Sequence, residues 1–493
     1  MISKYSLNNP SITIRSDLAA QFPVYIYLSS DKKHLLYGTS IKVLLEHPEV
    51  ITPLQVRDES ISFLLQSGIV PLPHTVYENI FIVGIGDIAK VESKNNTIEL
   101  SFSHKFPFKN EERKKEMDID EKYILGLLTK ATLSTLDIQQ DSYLFHSAGK
   151  DSNMIALALA EAGYQNNITC ITHQSNNEND ESEISEKIAK KLGFKHQKLY
   201  IPKKILPQHI QSIHSYFENI PLPSIDNVTL AYPIYETQIE FKHSNIIDGS
   251  GNDVYIGHIP SQAEYRHQKF FSNLHQFRKI TDTLSSTNKL RNITLTKSEW
   301  AGLSGFSFSD SKKLFSKASS VYPHWKASTQ ERKDWDYLDI RADTWGSFVE
   351  SDRVIRKVRN LASLNNANLI LPWCDTEVAA YFTKVPEKYL FDRRKLKNKL
   401  ILRKILKDKI GLDSDKLGKK AFSFDFFSIL EVMKEEVTDE IIHSRLWNEN
   451  TINKLLTKLF KDSHSNKKSR ILIQRLYLIS TWYNKNKYIK RDN

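Results

Sequence analysis

The spacing of apolar residues changes along this chain, and each spacing predicts a different architecture. From residue 1 to about 105, short alternating runs such as Val24-Tyr25-Ile26-Tyr27-Leu28 and Ile80-Phe81-Ile82-Val83, ended by Gly and Asn, predict a mostly β segment. From 120 onward apolar runs alternate with helical spacing. Strands are expected at 143–146, 168–173, 196–201 and 244–248, and helices near 121–136, 153–162, 181–192 and 229–242. This alternation implies an α/β domain, a parallel sheet with helices on both faces. Beyond 265 the pattern turns largely helical and ends with Ile471 to Trp482. Residues 106–119, charged and carrying one proline, read as a linker between domains at 1–105 and 120–493.

At 493 residues the chain exceeds a single core. Its two cysteines, Cys170 and Cys374, cannot make a disulfide framework and lack metal-ligand spacing. No signal-peptide pattern and no bilayer-length apolar stretch is evident, so a soluble cytoplasmic protein is expected. The net charge of +11 would attract a polyanion. The lysines are widely spread, however, with no zinc pattern or interleaved aromatics, and nucleic acid is not the expected partner. The charge reads as solubility, with a share in guiding an anionic substrate or acidic peptide.

Candidate chemistry begins at Leu144-Phe145-His146-Ser147-Ala148-Gly149-Lys150-Asp151-Ser152. An apolar run feeds a small-residue turn and then a helix, whose N-terminal N–H groups would face phosphates held in the turn. Asp151 adds a hard oxygen ligand for Mg²⁺. An ordinary strand-to-helix turn would use small residues too. A second loop, Gly249-Ser250-Gly251-Asn252-Asp253 with Gly257 beyond, follows another predicted strand. Asp253 then lies at a strand's carboxyl end, where open α/β sheets bind ligands, and it could hold magnesium together with Asp151. Lys399 and Arg403 fall one helical turn apart on one face, able to grip a pyrophosphate. Lys420, in Gly418-Lys419-Lys420, could stabilise an oxyanion, although a solvated basic surface explains any single lysine of 388–420 as well.

In this order the elements resemble the asparagine synthetase family, including its relatives that make β-lactams and lasso peptides. The family's Ser-Gly-Gly-x-Asp-Ser loop matches Ser147 to Ser152, with Ala148 replacing a glycine. Its Gly-x-Gly-x-Asp-x-x-x-Gly loop matches Gly249 to Gly257, and its Lys-x-x-Leu-Arg matches Lys399 to Arg403. Asp180-Glu181 and Leu371-Pro372-Trp373-Cys374-Asp375 look like further family segments. The resemblance implies a PP-loop ATP pyrophosphatase domain over 120–493, with ATP and Mg²⁺ as cofactors. It also implies roles: Asp151 and Asp253 as catalytic metal ligands, Lys399 and Lys420 as catalytic cations. Ser147, Ala148, Gly149, Lys150, Ser152, Gly249 and Arg403 would bind the nucleotide. His173 would line the adenine site or simply form part of its wall.

Leu36 to Pro48 and Val70 to Val76 look like the later part of the family's glutamine-hydrolysing domain. What should precede them is too short, and residue 2 is Ile2 where a working glutaminase of this type uses cysteine. Residues 1–105 are thus expected to form a truncated, β-rich Ntn-hydrolase-like domain without glutaminase activity. Nitrogen would arrive as ammonia, an amine or the substrate's own amino group. Ser250 stands where β-lactam-forming relatives have tyrosine and asparagine-forming ones glutamate, which speaks against both products. Asp226 matches a family position near the acceptor pocket and equally suits a helix N-cap. The expected activity is AMP-forming amide ligation of a small specialised carboxylate. A macrolactam cyclase of a ribosomal peptide and a non-catalytic nucleotide-binding homologue are the alternatives, and a homodimer stays open.

Overall fold

In the N-terminal segment two antiparallel sheets face each other. β1 (Ile2–Tyr5), β3 (Val24–Leu28), β4 (Leu35–Gly38) and β5 (Ile80–Val83) form one, in the order β1-β4-β3-β5. β2 (Ile12–Arg15), β6 (Asp87–Lys94) and β7 (Thr97–His104) form the other. The period of two in β3 sends Val24, Ile26 and Leu28 into the core between the sheets. Tyr25 and Tyr27 point the other way, into a core shared with Leu472, Ile473 and Leu476 of the helix Lys467–Lys485. Both faces of β3 are therefore covered, and the chain's two ends pack on each other. Leu54 seals that junction through backbone hydrogen bonds with Tyr488 and Lys490, each 2.7 Å. The computed structural model describes residues 2–174, 180–202, 204–301, 305–417, 430 and 432–491, without the side chains at 227, 301, 347, 348 and 352.

The stretch expected as a linker is anchored at three of its residues, while Glu111, Glu112 and Lys114 to Glu116 stay exposed. Phe106 and Phe108 are buried, and the Arg113 guanidinium donates to the carbonyls of Phe382, Val385 and Tyr255. A planar group with several donors can satisfy three carbonyls at once, which ties this segment down despite its charge.

The expected parallel sheet is present. β8 (Ser142–Phe145), β9 (Thr169–Gln174), β10 (Lys195–Tyr200), β11 (Asn245–Ile247) and β12 (Asn368–Ile370) run parallel in the order β10-β9-β8-β11-β12. The order turns back between β8 and β11, and such switch points open a crevice at the strands' carboxyl ends. Helices Glu121–Leu133, Lys150–Glu161 and Ser182–Lys191 form near their predicted positions. The helix expected over 229–242 does not. Only short turns occur at Asn227–Leu230 and Tyr232–Tyr235, because Pro233 removes a donor and Ala231 to Tyr235 are buried on all sides. Apolar spacing there reported burial, not a helix face. Among the described residues no helix is long and apolar enough to cross a membrane.

Candidate active site

The loop after β8 is shaped by Asn153, whose amide donates to the carbonyls of Ser147 (2.8 Å) and Gly149 (2.6 Å). His146 fixes that amide in turn through Nε2 and Asn153 Oδ1, 3.0 Å apart, and burial lowers the His146 pKa to about 4. The neutral ring acts as a structural peg. Ser147 Oγ accepts from the Gly149 N–H at 3.0 Å, and Gly149 is the N-cap of helix Lys150–Glu161 with no side-chain cap of its own. The helix start thus keeps backbone N–H groups directed at the loop, as anion binding needs.

The loop after β11 lies directly on the first. A Cβ at Gly249 would come 3.0 Å from the Ser152 nitrogen, and one at Gly251, which has φ +113°, would come 2.3 Å from Cys374 Sγ. A Cβ at Gly257 would strike the Asp253 carboxylate. These glycines are required by close approach as well as by turn geometry.

Lys399 closes the site. The short hairpin of β13 (Phe391–Asp392) and β14 (Lys397–Asn398) delivers it in a left-handed conformation, φ 55°, at the N-cap of helix Leu400–Ile410. Its ammonium lies 2.7 Å from Asp151 Oδ2, 2.7 Å from Asp253 Oδ1 and 2.8 Å from Asn252 Oδ1. Asn252 Nδ2 donates back to Asp151 Oδ1 at 2.7 Å. Burial of Lys399 opposes its charge, but Asp151 and Asp253 outweigh it and raise the pKa above the usual lysine value. Both acids keep about three-tenths of their side-chain surface exposed, at 28% and 30%. Two hard carboxylates converging on one cation also suit Mg²⁺, and each has lone pairs beyond those Lys399 takes.

Arg403, one turn beyond Lys399, meets other partners than Asp151 and Asp253. Because Lys399 caps the helix in a left-handed turn, Arg403 reaches back to the Asn398 carbonyl at 2.8 Å and to Asp415 at 2.6 Å. It braces the turn that carries Lys399. His173 stacks on Phe145 and lies 2.9 Å from the Tyr235 hydroxyl, and burial lowers its pKa to about 3. Asp226 serves as the N-cap of Asn227–Leu230 and also faces Arg353 (3.3 Å) and Lys357 (3.5 Å). Burial works against its charge, yet the two cations hold its carboxyl below the usual range. Lys420 lies outside the described residues.

Sequence reasoning missed Glu350. It sits on a rare π-helix, Trp345–Ile355, and accepts the Gly251 N–H at 2.6 Å. Burial and the nearby Asp253 charge raise its pKa. No local signal marks it, since it meets the loop only in three dimensions. Asn252 was within reach, standing beside Asp253 in the second motif. Trp373 Nε1 donates to the Asp151 carbonyl at 3.3 Å, and Tyr255 donates to the Trp373 carbonyl at 2.6 Å, so the 371–375 segment backs both loops.

A five-stranded parallel sheet with carboxylate-bearing loops meeting at its switch point defines an α/β protein with a ligand crevice at the strands' carboxyl ends. A family profile described as asparagine synthase matches residues 125–484, and the chain belongs to that family. Membership makes it, in general terms, an ATP-dependent carbon–nitrogen ligase. No curated protein sequence matches the chain at a significant level.

Proposed function

We propose that this protein activates a substrate carboxylate as an acyl-adenylate, releasing pyrophosphate, and passes the acyl group to ammonia or an amine without hydrolysing glutamine. The observation that carries this reading is the convergence of Asp151, Asp253, Asn252 and Lys399 at the sheet's switch point. Asp151 and Asp253 would hold Mg²⁺, which offsets negative charge on the triphosphate. The Ser147 to Lys150 backbone, at the start of a helix, favours the departing pyrophosphate, and Lys399 adds a fixed cation in a largely dry site. The substrate carboxylate attacks the α-phosphorus, breaking its bond to the bridging oxygen. The nitrogen nucleophile then attacks the activated carbonyl and expels AMP, and Lys420 is the residue assigned to stabilising the oxyanion. Residues 1–105 contain no cysteine that could serve as a glutaminase nucleophile, which supports nitrogen entering in another form than glutamine. Carboxylate-dependent exchange of labelled pyrophosphate into ATP tests the reading. Exchange with some acceptor is expected; ADP as the sole nucleotide product would overturn it.

A further inference from the structure

Residues 262–301 and 305–330 form a largely helical lobe between the second loop and the helix Tyr337–Thr344. The lobe holds eleven Lys or Arg against four Asp or Glu, so +7 of the chain's +11 belongs to it. Its interior is organised by buried Arg278, which pairs with Asp282 at 2.8 Å and Glu299 at 2.7 Å. Ser309 N donates to the Asp282 carbonyl at 3.2 Å, which joins the helix Phe308–Leu314 to the segment after Arg278–Thr281.

Between these elements and the start of helix Tyr322–Glu331 lies a cavity of about 670 Å³. Phe308, Tyr322 and Pro323 line its apolar part, and Lys279, Lys312 and Lys313 stand around it. Asp282 also borders it, but the bond to Arg278 compensates that negative charge. The volume lies in the range that accommodates small ligands or a large side chain. Phe277 and Ile280, which flank Arg278 and the cavity-lining Lys279 in sequence, are 50% and 67% exposed. Exposed apolar groups rimmed by polar ones mark interaction sites.

We propose that this lobe is a docking site for an acidic peptide segment, with one large apolar side chain entering the cavity and flanking carboxylates meeting the lysines. A concave aromatic pocket suits a side chain better than the flat face of a bilayer, and the adjoining Phe277 and Ile280 extend the contact beyond one small molecule. The concentrated positive charge steers an anionic segment to the surface.

A phage-displayed library of random dodecapeptides, panned against the full chain, tests this. Enriched sequences should carry Asp or Glu beside a large apolar residue, and synthetic copies should bind less tightly as salt rises. The triple variant Lys279→Glu, Lys312→Glu, Lys313→Glu should weaken them about tenfold or more. Phe308→Ala should weaken them without changing the salt dependence, and both variants should keep wild-type circular dichroism. The proposal is overturned by no enrichment, by enriched peptides lacking acids, or by unchanged affinity in the triple variant. Binding to phosphatidylglycerol vesicles with no peptide enriched would assign the surface to a membrane instead. Pyrophosphate exchange, which does not use this lobe, reports separately on the ligase reading.

Discussion

Lys399 Nζ stands 2.7 Å from Asp151 Oδ2, although 248 residues separate the two in sequence. The contact joins the loop after β8 to the hairpin before helix Leu400–Ile410, with Asn252 of the second loop bonded to both partners. One buried cation thus fixes the spacing of two acids that would otherwise repel each other.

Lys399→Met leaves Asp151 and Asp253 facing each other without that cation. Pyrophosphate exchange should fall by about 10²–10³-fold, the usual scale for removing one fixed electrostatic stabiliser. Thermal melts should show Mg²⁺ raising the midpoint of the variant more than that of the wild type, because the divalent ion then supplies the missing positive charge. Equal Mg²⁺ shifts in both would separate the metal from these acids.

The two half-reactions should divide between Asp151 and Lys420. Asp151→Asn should abolish exchange, whereas Lys420→Met should retain exchange and stop amide release. Equal loss of both activities in the lysine variant would remove Lys420 from the second step.

Gly251→Ala places a methyl group 2.3 Å from Cys374 Sγ at φ +113°. Backbone strain alone costs about 1–3 kcal/mol, and the overlap adds to it. Urea unfolding should show the loss. Gly251→Ala combined with Cys374→Ala should recover the steric part but not the backbone part.

His104 gives a pH signature. It lies 2.7 Å from Asp87 Oδ1 and 2.9 Å from Asp343 Oδ1, linking the N-terminal sheets to helix Tyr337–Thr344. Burial opposes its charge, but the bonds to Asp343 and Asp87 raise its pKa from 6.5 to about 10. A raised value means the folded state binds the proton more tightly, so this contribution is full below pH 6.5 and fades as pH approaches about 10. Urea midpoints of the wild type should therefore fall between neutral pH and pH 10. His104→Gln should be less stable at neutral pH and should show a shallower fall.

The local sequence determined the parallel sheet and the two loops at its strand ends. Strand and helix signals alternate from 120 to 248, and the period of the apolar pattern reports directly which backbone each stretch adopts. It also marked the glycines, since a loop that approaches another backbone closely has room for no side chain. Periodicity failed where burial is complete, as at 229–242, and where a strand is as short as Asn368–Ile370. Local charge suggested a linker at 106–119, where Phe106 and Phe108 are nevertheless buried, and a solvated basic surface over 388–420, which holds for exposed Lys395, Lys404 and Lys407 but not for buried Lys399.

Only the tertiary structure decided what each charge meets. Lys399 found two aspartates, Arg403 found Asn398 and Asp415, and Glu350 found the Gly251 amide, each across a loop closure that no neighbouring residue announces. The joining of both chain ends in one core was equally invisible, because apolar spacing shows that a face is buried but not which distant face buries it.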